Sequence, residues 1–106
     1  MPSAIGEVRA TVFKRDNYRC VVASFDPDHV CGDRWGESTP PDDIEALTLE
    51  HVRMEPGGMR IDRQEFCVTM CHRANVVTRW GSGWPNRRLL NGYLDHLYPQ
   101  RREGLV

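Results

Sequence analysis

The chain contains no apolar run approaching the roughly 20 residues that a membrane-spanning helix needs. Its opening, Met1-Pro2-Ser3-Ala4-Ile5-Gly6-Glu7, has neither a basic n-region nor an apolar h-region, so no secretory leader is expected. Aromatic residues make up only 8% of the chain, and net charge is nearly absent, at −1 with a pI of about 6.4. That excludes a surface coated in one sign of charge. Internal repeats and low-complexity tracts are also missing, and 106 residues leave room for one small domain and no second. At 40% hydrophobic and 27% charged residues the composition is that of a globular chain. A chain this short buries only about 60–65% of its unfolded surface, so the core is modest.

The near-zero sum hides segregated charge. Residues 1–19 carry four basic and two acidic side chains, residues 20–50 one basic (Arg34) and eight acidic, and residues 76–106 five basic and two acidic. A phosphate backbone could dock on the two basic ends, and ordinary solvated surface is the competing reading.

Four cysteines, Cys20, Cys31, Cys67 and Cys71, leave open two disulfides, one metal site or four free buried thiols. Without an export signal the expected compartment is reducing, which favours metal over disulfide. Four thiolates are soft donors that select tetrahedral zinc, so all four are expected to converge on one structural zinc ion. Their pairs are C-x10-C and C-x3-C, and neither is a C-x2-C knuckle.

Helical spacing of Val8, Val12 and Phe13 predicts a short helix over residues 6–16. Residues 24–45 read as loop, with Trp35 as its one bulky apolar group and an expected cap on the core. Alternation and β-formers predict a strand over residues 46–52, residues 66–70 read as a second short strand, and a turn or loop at Glu55-Pro56-Gly57-Gly58 lies between them. Residues 71–79 read as a helix ended by Gly81-Ser82-Gly83. A last helix opens at Trp84-Pro85-Asn86, buries Leu90, Tyr93, Leu94 and Leu97, and stops at Pro99.

The order of these features carries the functional signal. Val8-Arg9-Ala10-Thr11-Val12-Phe13-Lys14-Arg15-Asp16-Asn17-Tyr18-Arg19-Cys20 comes first, then Leu49-Glu50-His51-Val52, a glycine-bearing loop, and Cys67-Val68-Thr69-Met70-Cys71-His72. In this order the chain resembles the HNH endonuclease superfamily, the ββα-metal nucleases, and within it the small phage and actinobacterial members, over about residues 8–98. The resemblance implies an α+β fold: a single zinc-stabilised ββα-metal domain, residues 1–106, with a hairpin of 47–53 and 66–70, a helix from about 71, and flanking N- and C-terminal helices. It implies that Glu50 and His72 hold one catalytic divalent ion such as Mg2+ or Mn2+, and that His51 is the general base. The zinc would join the N-terminal segment to the hairpin. The implied substrate is double-stranded DNA, cut to a 5′-phosphate and a 3′-hydroxyl, with Arg15, Arg53, Asn75, Arg87 and Arg88 as candidate DNA contacts. A phage or prophage origin, the cytoplasm of a bacterial host, and a link to terminase or other packaging proteins are further implications, with no role at a membrane.

Two departures from the family pattern stand out. The loop Gly58-Met59-Arg60-Ile61-Asp62-Arg63-Gln64-Glu65 lacks the family's middle Asn, and Asp62 or Gln64 could substitute for it. The second cysteine pair is spaced by three residues instead of two.

Elementary chemistry points the same way. Neighbouring strand residues face opposite sides, so Glu50 and His51 can share a site only at a strand end or bend. Phosphodiester hydrolysis needs a base for water and relief of charge on the leaving oxygen, and imidazole suits the first role near neutrality. Elsewhere, His29 reads as an exposed loop residue, with a lesser role as substitute zinc ligand, and His96 as solvent-facing. Trp80 and Trp84 could stack on a base, although core packing is expected of at least one. Asn75 could reach the metal or a phosphate, with a backbone bond as its competing role. The alternatives to a nuclease are a non-catalytic zinc module that binds DNA and a packaging adaptor on the same scaffold.

Overall fold

A computed structural model of the chain describes residues 4–52, 54–55 and 59–103. Helix α1, Ala4–Arg15, begins two residues before the periodicity predicts and places Lys14 and Arg15 in its last turn, where cations suit the helix dipole. Its apolar face is split. Val12 packs with Leu49 and Cys67, flanked by Ile5 and Val8, whereas Phe13 leans on the larger cluster around Val22, Met70, Leu90 and Leu94. Asn17 and Tyr18 then adopt left-handed backbone, at φ 60° and 54°, and the Tyr18 N–H closes on the Phe13 carbonyl at 2.8 Å. A four-residue helix α2, Val22–Phe25, follows where sequence signals placed the start of a loop.

Strand β1, Leu47–His51, pairs antiparallel with β4, Cys67–Cys71, in the register Leu47↔Cys71 through Glu50↔Val68 to His51↔Cys67. Between them β2, Met54–Glu55, pairs with β3, Met59–Arg60, and residues 56–58 of the expected turn lie outside the described residues. Every residue of β4 is buried. After His72 the chain forms a π-turn over Arg73–Val77, closed by Thr78 N–H on the Arg73 carbonyl at 2.8 Å, where a regular helix is expected. Helix α3, Trp84–Leu97, carries Pro85 in its first turn and buries Leu90 and Leu94 completely. The fold is therefore α+β, with a two-stranded sheet at its centre. Among the described residues no helix is long and apolar enough to cross a membrane.

Two apolar side chains depart from expectation. Trp35 is 80% exposed instead of capping the core. Its loop satisfies itself: Gly32 bridges to Ser38, and the Asp33 carboxylate accepts the Trp35 and Glu37 N–H groups, so nothing draws the ring inward. Leu97 is exposed at the end of α3, while Trp80 packs on the core and Trp84 stays in solvent.

A buried ion pair ties these pieces together. Arg15 grips both oxygens of Asp16 at 3.0 Å, and Asp16 also accepts the Thr69 N–H at 2.9 Å and the Tyr93 hydroxyl. The Arg15 guanidinium further donates to the carbonyls of Gln64, at 2.8 Å, and Cys67, at 2.7 Å, and lies against the rings of Tyr93 and Tyr98. Burial, followed by the Asp16 carboxylate, pushes the Tyr93 phenol up to about 12. Arg15, an expected phosphate contact, instead spends its donors on Asp16 and on the Gln64 and Cys67 carbonyls, and its side chain is only 13% exposed.

Asp16→Ala would strand a buried guanidinium, the Thr69 N–H and the Tyr93 hydroxyl together. It should cost about 3–5 kcal/mol, the range for breaking a buried pair, read as a fall in the urea midpoint without a change of m-value.

Candidate metal centre and catalytic cavity

Cys20, His29, Cys31 and Cys71 meet at one point, with all donor atoms within 4.8 Å of one another. The ligands come from three places. Cys20 precedes α2, its N–H bonded to the Pro41 carbonyl at 2.9 Å, and the next N–H, of Val21, reaches the Thr69 carbonyl of β4 at 3.0 Å. His29 and Cys31 lie two residues apart in the loop that follows. Cys71 ends β4, opposite Leu47. The three cysteines are buried, and His29 Nε2 stands 3.4 Å from Cys71 Sγ.

The donor chemistry fits a metal. A tetrahedral ion with sulfur bonds near 2.3 Å needs its ligand atoms about 3.8 Å apart, and three thiols with one imidazole form a standard zinc set. The cluster could therefore hold a metal ion such as zinc. Cys71 is already disposed to be a thiolate. The Cys20 thiol, the Ala74 and Gly32 N–H groups and His29 all point at its sulfur and pull its pKa down against the opposing effect of burial. The same hydrogen bond pushes the Cys20 thiol up, and burial pushes Cys31 up to about 11.

The structure departs here from the expected set of four cysteines. Cys67 is fully buried beside Val12 and Leu49, its thiol 3.6 Å from the Ile61 carbonyl, and burial pushes its pKa up to about 11. The reason is strand geometry. Cys67 and Cys71 sit four residues apart on an extended strand, about 13 Å along it at 3.3 Å per residue, which one ion cannot span. His29 supplies the missing donor. Its signal in the sequence was parity: in extended chain, residues two apart face the same side, so His29 accompanies Cys31.

A second site lies at the end of β1. His51 is the last residue of the strand, and the Val52 N–H turns to the Phe66 carbonyl at 2.8 Å. This strand end lets Glu50 and His51 line one cavity of about 250 Å³ with Asn75, Arg79, Ser82 and Arg87. His51 Nε2 is 2.7 Å from Asp62 Oδ1, in the loop between the strands. Asn75 Nδ2 donates to Thr48 Oγ1 at 2.9 Å, which leaves its amide oxygen as acceptor, and Thr48 in turn donates to the Met70 carbonyl at 2.6 Å. Arg87 donates to the Val52 carbonyl. Arg79 holds a left-handed backbone, φ 50° and ψ 49°, which costs a residue with a Cβ about 1–2 kcal/mol.

His72 is not brought to this cavity. Glu50 faces Val68 across the sheet, and His72 follows Val68 by four residues, again about 13 Å along the strand direction. His72 instead lines a different cavity of about 300 Å³ with Arg9, Asp33, Trp35, Asp43 and Thr48. Asn75 is the residue after β4 that shares a cavity with Glu50. Of the other candidate DNA contacts, Arg88 lies in a shallow apolar hollow with Pro85, Leu89, Gly92 and Tyr93, and Arg53 lies outside the described residues.

Metal content separates the two cysteine sets. Purified protein should carry one zinc per chain by mass spectrometry, and chelation should unfold it, because binding energy in such a module is folding energy. Cys67→Ser should keep the zinc while losing about 1–3 kcal/mol of stability to a buried hydroxyl, whereas His29→Ala should release the metal at lower chelator concentration. Retention by the His29 variant and loss by the Cys67 variant would reverse the assignment.

In comparison with known proteins, no family model, no curated protein and no solved structure matches this chain.

Proposed function

We propose that the chain is a metal-dependent DNA endonuclease of the HNH type, built around a structural zinc site. The observation that carries the reading is the convergence of Glu50, His51, Asn75 and two arginines on one cavity, with His51 held by Asp62. The sequence order that resembles the small phage HNH enzymes supports it independently and extends it to double-stranded DNA, a bacterial cytoplasm and the neighbourhood of packaging proteins.

Each residue has a role consistent with hydrolysis. The Asp62 carboxylate can only accept, so His51 donates from Nε2, and in the neutral ring the lone pair is then on Nδ1. That lone pair takes the proton of the attacking water. The Glu50 carboxylate and the Asn75 amide oxygen are hard donors suited to a divalent cation that also keeps water and phosphate oxygens. Such an ion, when bound, supplies positive charge against the charge that builds on the leaving 3′ oxygen. Arg87, anchored on the Val52 carbonyl, lends fixed positive charge to the same space. A second reading, a zinc module that binds DNA without cutting it, is favoured by one observation: His72, the family's second ion ligand, lines a separate cavity.

A plasmid-cleavage assay with added Mg2+ or Mn2+ decides between them. Wild-type protein should nick or cut, and His51→Ala should lower the rate by at least 100-fold, of the order expected for a general base, while binding DNA as before. Glu50→Ala and Asn75→Ala should be partly rescued by excess metal, and His72→Ala should not respond to it. Tight DNA binding with no cleavage under any divalent ion would favour the non-catalytic module.

A further inference from the structure

Arg79 is the feature of the cavity that neither the fold nor the sequence signals explain. It sits between the π-turn Arg73–Val77 and the short helical turn Trp80–Ser82, in left-handed backbone. Glycine adopts that conformation without strain, and the chain places glycines nearby, at Gly81 and Gly83. The backbone's own requirements at this point do not call for a side chain. The Arg79 carbonyl accepts the Ser82 N–H at 2.9 Å, which any residue would provide. Arginine is therefore present for its guanidinium, and strained backbone of this kind concentrates at functional sites.

The surroundings indicate what that guanidinium is for. It makes no hydrogen bond or ion pair among the described residues, in contrast to Arg15, Arg73 and Arg101, each fixed by carbonyls or carboxylates. It lines the cavity of Glu50 and His51. With Arg87 it brings two permanent positive charges to a cavity proposed to seat an anionic phosphodiester. A guanidinium presents a planar fork of donors that matches two phosphate oxygens at once.

We infer that Arg79 is the phosphate-binding residue of this cavity, its strained backbone aiming the guanidinium at the DNA strand beside His51. The inference rests on the DNA reading above and names the group by which that strand is seated.

The test is equilibrium binding of a short DNA duplex to the zinc-loaded full chain without added divalent ion, over a range of salt, for wild type, Arg79→Gly and Arg79→Lys. Each phosphate contact contributes about 0.9 to the slope of log affinity against log salt. Arg79→Gly should lose about that much slope, bind roughly tenfold more weakly near physiological salt, and melt at or above the wild-type temperature. Arg79→Lys should keep the slope, because it keeps the charge. An unchanged slope in the glycine variant, a melting point well below wild type, or wild-type protein that binds no DNA would each overturn the proposal. The nuclease reading fails separately. Slope lost in Arg79→Gly with a wild type that never cuts sinks catalysis and leaves Arg79 standing. Cleavage by wild type with the slope intact in Arg79→Gly does the reverse.

Discussion

The register of β1 against β4 decides which side chains can meet. Leu47 opposite Cys71 and His51 opposite Cys67 fix the two ends of the sheet as separate places, one holding the soft donors and the other the Glu-His pair. A slip of one residue would reverse every side chain of β1 and scatter both groups. What holds the register is not the pair of strands alone, since a two-stranded hairpin is marginal in water. The Arg15–Asp16 pair clamps it from the side, with Asp16 on the Thr69 N–H and Arg15 on the Cys67 carbonyl. The hydroxyl of Thr69 adds a bond to the Val12 carbonyl at 3.3 Å. Helix, strand and register are thus set by a few polar contacts inside an otherwise apolar centre.

Periodicity made most elements legible. The i, i+3, i+4 spacing of Leu90, Tyr93 and Leu94 marked α3, and alternation marked β1, because burial of one face leaves a regular trace along the chain, whereas β4, buried throughout, showed only as a short apolar run. The π-turn left no such trace, since its residues satisfy the same apolar pattern as one turn of regular helix. Trp35 misled for a related reason: apolarity reports a preference for burial, and a loop that closes on its own hydrogen bonds does not deliver the ring to the core.

The sites were legible in part. Cys20, Cys31 and Cys71 were recoverable from cysteine count and redox setting, and the strand-end position of Glu50 and His51 from the alternation rule. Cys67 was placed by linear order, which ignores the 3.3 Å that each strand residue adds. Arg15 was read from charge. Its partners come from Gln64, Cys67, Tyr93 and Tyr98, too far along the chain to be visible at residue 15. The contact of Asp62 with His51 required the loop to close before it could be seen.

The Cys/His cluster spans long stretches of chain: His29 and Cys71 are 42 residues apart. Loop closure of that length carries an entropic cost before any contact rewards it. The half-site of His29 and Cys31 can form early in a growing or unfolded chain, but Cys71 arrives only once β4 has found β1. Any ion the cluster holds is therefore gripped only by the paired sheet, so ion and strand pairing would stabilise one another.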